Sequence, residues 1–316
     1  MTQEETSQER GGEMTHIGEI LSKLPGNEAG KSSNQTQEKP QTEHYQDECE
    51  CRSCGAKFPG DVTRYLRFNP PKEIRPSYCQ ECKEKLQAKE DEEKKRELSA
   101  ARAEVRERWR RTCGMDHELQ GKTFDNWDGR VQRQAYQEAL RWVEEFSIDS
   151  PRGSRSIIFY SAVPGLGKTH LMVGMANHIF DNWQGDPTQS RSPIVFASGP
   201  GLVRRIRACF GLREHDNIHE REEDVYREVA GAPVLMLDDV GKEKPSDFTR
   251  ELYWYIIDER VKSGLPVVMT SRLQLEGKNS LEELMGVDTV DRLYGMTRGE
   301  MVRMSGESYR RRQAVP

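Results

Sequence analysis

The stretch Ser161-Ala162-Val163-Pro164-Gly165-Leu166-Gly167-Lys168-Thr169-His170 decides the fold. It follows the apolar run Ser156-Ile-Ile-Phe-Tyr160 and precedes Leu171-Met-Val-Gly-Met-Ala-Asn-His-Ile-Phe180, so the order is strand, glycine-rich loop, helix. A triphosphate-binding loop requires that order. Gly165 and Gly167 let successive backbone N–H groups curl around phosphate oxygens, and the helix start adds a favourable dipole. Lys168 is then placed to reach the β- and γ-phosphates of ATP, and the Thr169 hydroxyl to ligate Mg2+. The expected nucleotide-contacting run is Ala162 to His170 throughout, including Val163, Pro164 and Leu166. Ala162 stands where a first glycine is usual, which suits only a position that does not need positive φ.

Seventy residues beyond Lys168, the apolar run Val234-Leu-Met-Leu237 ends in Asp238-Asp239. A strand so capped puts carboxylates at the carboxyl edge of a sheet. Asp238 is expected to hold Mg2+ through water and Asp239 to polarise the attacking water, which makes the expected activity hydrolysis of ATP to ADP and phosphate. Short apolar runs at 157–160, 194–197, 234–237 and 267–270 alternate with helical segments. That is the pattern of an α/β domain with a parallel sheet, expected from about 117 to 316.

Upstream the texture changes. Residues 86–116 read as a charged connecting helix without internal proline or glycine up to Cys113. Its last turns carry Arg102, Arg106, Arg108, Arg110 and Arg111, read as a solvated face with phosphate contact as the alternative. In 46–85, Cys51-x2-Cys54 and Cys79-x2-Cys82 enclose 24 residues. Four soft thiolates at such spacing close a tetrahedral structural Zn2+ site, with Cys49 an alternative to Cys51. Pro59-Gly60 and Pro70-Pro71 are expected turns. Residues 1–45 are rich in Gln, Glu, Thr and Ser and read as a disordered tail. Within it Ile17, Ile20, Leu21 and Leu24 form a short helical stripe, either a partner-docking peptide or a transient helix.

The composition is 34% hydrophobic and 32% charged with a net charge of −5, so any DNA contact must come from local basic patches. No run approaches the roughly 18 apolar residues of a membrane helix, and the first residues lack an apolar leader. The expected compartment is the cytoplasm, with no membrane partner.

Several segments together resemble the helicase-loader branch of the AAA+ ATPases, the DnaC/DnaI type, and the related IstB transposition helpers. They are the lead-in Gly121-Lys-Thr-Phe-Asp-Asn-Trp127, the loop ending Gly-Lys-Thr-His-Leu171, and Leu237-Asp-Asp-Val-Gly-Lys-Glu-Lys-Pro245. Further on come Val267-Val-Met-Thr-Ser271, Val290-Asp-Arg-Leu293 and Gly306-Glu-Ser-Tyr-Arg310. The resemblance implies an AAA+ core, and the 24 residues after Arg292 are too few for a helical lid. It implies that Thr270 and Ser271 end the sensor strand, with Ser271 a nucleotide contact and Arg272 where that family carries Asn. Arg292 matches the arginine finger that reaches a neighbouring subunit's ATP, with Arg298 the second choice; a finger acting in trans implies self-association. Asp239 stands where most AAA+ proteins have Glu, from which slow hydrolysis is expected.

By the same resemblance, single-stranded DNA passes near Leu202-Val-Arg-Arg-Ile-Arg-Ala-Cys-Phe210, where Arg204, Arg205 and Arg207 oppose an apolar face. They serve either as phosphate contacts or as an ordinary solvated face. The implied function is loading of a hexameric replicative helicase onto single-stranded DNA, the cysteine module favouring this reading. A transposition helper and a nucleotide-binding adaptor without turnover are the alternatives.

Overall fold

The computed structural model describes residues 42–128, 131–189, 191–210 and 221–312. The stripe Ile17, Ile20, Leu21 and Leu24 lies outside the described residues. Packing divides the chain into two units, 1–88 and 89–316.

In the first unit β1 (Thr42–Glu50), β2 (Lys57–Tyr65) and β3 (Lys72–Ile74) form an antiparallel sheet in that order. The expected tail boundary at 45 is therefore too late, since Thr42 to Tyr45 pair with β2, Thr42 opposite Tyr65. Composition concealed this strand because its polar side chains pair across the sheet instead of being buried. His44 bonds Thr63, and the Tyr45 hydroxyl donates to Glu73 at 2.9 Å. Pro59-Gly60 is likewise no turn: both residues lie within β2, opposite Glu48 and Asp47. Among the described residues of this unit, Val62, Cys49 and Cys51 are the buried apolar side chains.

Helix α1 (Gln80–Thr112) begins in the first unit, and most of its length belongs to the second. The expected boundary at 117 fails because Val105, Trp109, Cys113 and Met115 are part of the α/β core. Of the five arginines in the last turns of α1, Arg102, Arg106 and Arg110 are half-buried against the α/β unit, and Arg108 and Arg111 keep the expected exposed face. Arg102 donates to Gly185 O at 3.0 Å, Arg106 to Trp183 O at 2.6 Å and Arg108 to Gln189 O at 2.8 Å, while Arg110 bonds Asn177 and Asp181.

After α1 come α2 (Arg133–Glu145), β4 (Ile157–Tyr160), α3 (Lys168–Asn182), β5 (Ile194–Ser198) and α4 (Gly199–Cys209). They are followed by α5 (Glu222–Gly231), β6 (Val234–Val240), α6 (Asp247–Ser263) and β7 (Val267–Ser271). The short elements α7 (Leu281–Met285), α8 (Val287–Met296), β8 (Val302–Arg303) and α9 (Tyr309–Arg312) complete the described order. The five strands β4 to β8 form a parallel sheet in the order β5-β6-β7-β4-β8. Ile157 and Phe159 face one apolar core with Trp109, Trp142 and Phe180, whereas Ile158 faces the other with Leu202, Ile256 and Leu293. Burial on both faces explains the uninterrupted apolar runs.

Since β4 lies between β7 and β8 while the chain leaves it for the far edge, a topological switch point opens at its carboxyl end. Ligands bind open α/β sheets at such points. Helix α6 carries a fully buried Arg260. It donates to the carbonyls of Val229, Ala230 and Ala232 at 2.9–3.1 Å and of Pro266 at 2.6 Å.

Candidate functional site

The loop between β4 and α3 takes the conformation its glycines allow. Gly165 has φ +77° and Gly167, which opens α3, has φ +94°. A side chain at Gly167 would strike the indole of Trp127, so glycine is required there by packing as well as by φ. Ala162 is not among the residues with positive φ, which removes the objection to alanine at that place.

Lys168 is buried and donates to Ser161 O at 3.2 Å, bracing the loop across its mouth. Burial lowers its pKa, opposed by the charge of Asp239. The Thr169 hydroxyl donates to the two Asp238 oxygens at 2.9 and 3.1 Å. On the other side Thr270 Oγ1 donates to Asp238 Oδ1 at 2.6 Å and accepts the Asp239 N–H at 2.9 Å. One threonine on β7 thus fixes both acids of β6. A bulge between Leu237 and Val240 puts Asp239 at φ +52°, and its carboxylate pairs with Lys242 at 2.5 Å.

Above this network lies a cavity of about 430 Å3, within the size range of small-ligand sites. It is lined by Pro164 to His170, by the apolar Leu119, Trp127 and Val131, by the polar Lys122, Asn126 and Asp128, and by Asp239, Lys242, Arg272, Tyr309 and Arg310. Phosphate oxygens fit a floor of turn N–H groups with a buried lysine, and a hard divalent cation fits Thr169 beside Asp238. His170 is held by packing: its Nε2–H donates to Thr123 O at 2.9 Å, and the ring meets Trp127 edge-on.

The structure does not bring every expected residue here. Ala162 and Val163 are exposed and do not line the cavity. Ser271, expected as a nucleotide contact, is fully buried with its hydroxyl donating to Val240 O at 2.7 Å; its neighbour Arg272 faces the cavity instead. Arg292 is away from this cavity on α8, where Nε bonds Asp258 Oδ1 at 3.1 Å. Arg298 has a left-handed φ of 56° and lines a different cleft. On α4, Arg205 pairs with Glu228 at 2.5 Å and Arg207 lies over the Phe248 ring at 5.0 Å, leaving Arg204 exposed. Trp127, Lys242 and Arg310 lie in segments that carry the family resemblance, yet sequence reasoning gave none of them a role. For Lys242 the three-residue step from Asp239 on a tight turn was the available signal.

In the first unit, the Sγ atoms of Cys51, Cys54, Cys79 and Cys82 all lie within 4.8 Å of one another, and Cys49 is not in the cluster. The Cys54–Cys79 sulfur separation is 3.8 Å. Zn–S bonds of about 2.3 Å at tetrahedral angles place sulfurs about 3.8 Å apart, so the donor set and its spacing fit zinc.

Burial raises the pKa of Asp238, with the Thr270 and Thr169 hydrogen bonds opposing it. A carboxyl whose folded-state pKa is raised disfavours folding wherever pH lies above its unfolded value. Asp238→Asn is therefore expected to raise the Tm of the nucleotide-free protein while abolishing the magnesium dependence of nucleotide binding. In the wild type, that dependence should fade as pH falls through the raised pKa, earlier than for an ordinary aspartate. Thermal scans and titrations with and without Mg2+ check both; a lower Tm for the Asn variant would refute the assignment of strain to the charge.

Comparison with known proteins gives the site a context. Residues 94–315 match the model of a family described as IstB-like ATP binding protein. The replicative helicase loader DnaC of Escherichia coli (strain K12) is 23% identical over 245 residues, covering 74% of this chain and 89% of that protein. DnaC of Buchnera aphidicola subsp. Baizongia pistaciae (strain Bp) is 23% identical over 171 residues, and the match spans 54% of this chain and 62% of that relative. Among solved structures, a DnaC helicase loader aligns with a TM-score of 0.47 and 23% identity over 60% of this chain and 100% of that one. Among the described residues, no helix is long and apolar enough to cross a membrane.

Proposed function

Because the chain belongs to the IstB-like ATP binding proteins, we propose that it is an ATP-driven loader that delivers a replicative hexameric helicase onto single-stranded DNA. The observation that carries this reading is Asp238 held between the hydroxyls of Thr169 and Thr270 beneath a glycine turn and a buried lysine. Lys168 and the turn N–H groups bind the phosphates of ATP, and Thr169 with Asp238 holds Mg2+. Bound magnesium supplies charge neutralisation at the phosphates. Asp239 orients the attacking water. Its short side chain and its pairing with Lys242 favour slow intrinsic hydrolysis, a timed switch stimulated by DNA or partner.

The α/β unit is the ATPase and the four-cysteine module the helicase-docking part, preceded by the tail. Arg292 acts on a neighbouring copy's nucleotide, which makes the working form an oligomer in the cytoplasm. Arg204, Arg205 and Arg207 meet the DNA backbone, the last two after exchanging their present partners.

A second reading draws on the family's own description: an IstB-like helper acting on target DNA for transposition. Co-purification with the host's replicative helicase separates the two. Capture of that helicase by the wild type with ATP, lost in Lys168→Ala together with about 100-fold in ATP affinity, is expected. Capture of a transposase with no helicase would sink the first reading, and ATP binding without any turnover would leave a nucleotide-binding adaptor.

A further inference from the structure

The first unit buries few apolar side chains, yet it leaves others on its surface, with Ile74 54% and Phe68 43% exposed. Side chains alternate along a strand and opposite residues share a face, so the register sorts the sheet into two surfaces. One carries Glu43, Tyr45 and Asp47 with Arg64 and Glu73. Its charges are matched. Arg64 lies 3.9 Å from Glu43 and 3.8 Å from Glu73, and Arg75 pairs with Asp47 and Glu73.

The opposite face differs at the end away from Cys51. There Thr42, Tyr65 and Lys72 form one cross-strand row, and His44, Thr63 and Ile74 form the next. Neither row contains an acid. The loop from β2 to β3 continues this surface: the Arg67 guanidinium lies 5.7 Å from the centre of the Tyr65 ring and 4.9 Å from that of Phe68. Arg67 and Lys72 are exposed and make no ion pair with a described residue.

Rings interleaved with unmatched cations suit a ligand that offers flat faces and repeated negative charge. Unpaired nucleobases on a phosphate backbone offer both, whereas a duplex keeps its base faces stacked. We propose that this face binds single-stranded nucleic acid, with Tyr65 and Phe68 stacking on bases and Arg67 and Lys72 meeting phosphates. The inference stands apart from the nucleotide cavity and from the arginines of α4. It gives the four-cysteine module a ligand of its own, whatever protein it also docks.

The test is an anisotropy titration of the zinc-loaded full chain with labelled oligothymidylate of about 15 nucleotides. The parent carries Arg204→Ala, Arg205→Ala and Arg207→Ala, so that α4 does not mask the module. Phe68→Ala and Arg67→Ala are each expected to weaken binding about tenfold, and Phe68→Trp to preserve it. Arg67→Ala and Lys72→Ala should each lower the slope of log affinity against log salt by about 0.7. Amide protection of β1 and β2 should match the parent, because all three side chains are exposed. In the wild type, a strand bearing 5-bromouracil should cross-link to Tyr65 or Phe68, a readout that needs no variant. Equal affinity of Phe68→Ala and the parent, cross-links confined to the α/β unit, or a duplex bound as tightly as the single strand overturns the inference. So do variants that keep the strand and lose only helicase capture, which would make the face a protein-docking surface.

Discussion

Arg260→Met is expected to destabilise the α/β unit by about 3–5 kcal/mol, one of the largest effects of any single substitution outside the site. Arg260 makes no ion pair with a described residue; four backbone carbonyls take its place. Val229 and Ala230 close α5, Ala232 follows it and Pro266 precedes β7, so one guanidinium satisfies a helix end and two strand approaches. Burial pulls its pKa down to about 9, which still leaves it cationic at neutral pH. Methionine fills comparable space but donates nothing, and each buried carbonyl left unmet costs about 1–3 kcal/mol. Urea unfolding followed by tryptophan fluorescence measures the loss. A change below about 1 kcal/mol would mean that water replaces the guanidinium and that the carbonyls are less dry than they look.

The second large effect concerns the cysteine module. Among the described residues its buried apolar side chains are so few that a zinc ion held by the four cysteines would supply most of the folding free energy, since apparent zinc affinities in such modules are about 10–16 kcal/mol. Chelation, or Cys79→Ser, is expected to erase amide protection along β1 and β2 while the α/β unit keeps its Tm. Hydrogen exchange resolves the two units in the intact chain, and elemental analysis should find one zinc per chain, lost in the serine variant. Retained β1 protection after exhaustive chelation would show that the sheet stands without metal.

The phosphate loop was legible because its parts are contiguous: an apolar strand, two glycines, a lysine and a threonine at fixed spacing. Asp238 was legible for the same reason, as the polar end of an apolar run. The parallel sheet emerged from four such runs. The features that escaped depend on pairings between distant segments. Thr270 reaches Asp238 only through the register of β6 with β7, and Arg310 reaches the loop only through that of β8 with β4. Ser271 and Arg272 show how fine the margin is, since neighbours at a strand end point oppositely and the site takes the second. The arginines of α1 read as a solvated face, and Arg260 stood out in no motif. Their partners are mostly carbonyls and amides, which carry no sequence signal.

Asp239 sits in the left-handed region, where aspartate and asparagine are enriched among non-glycine residues because a short polar side chain can hydrogen-bond locally. At this corner the carboxylate finds its partner three residues on, in Lys242. A glutamate would give up the local bonding that favours a short acid at positive φ, and its longer arm would meet the same lysine only from a different place.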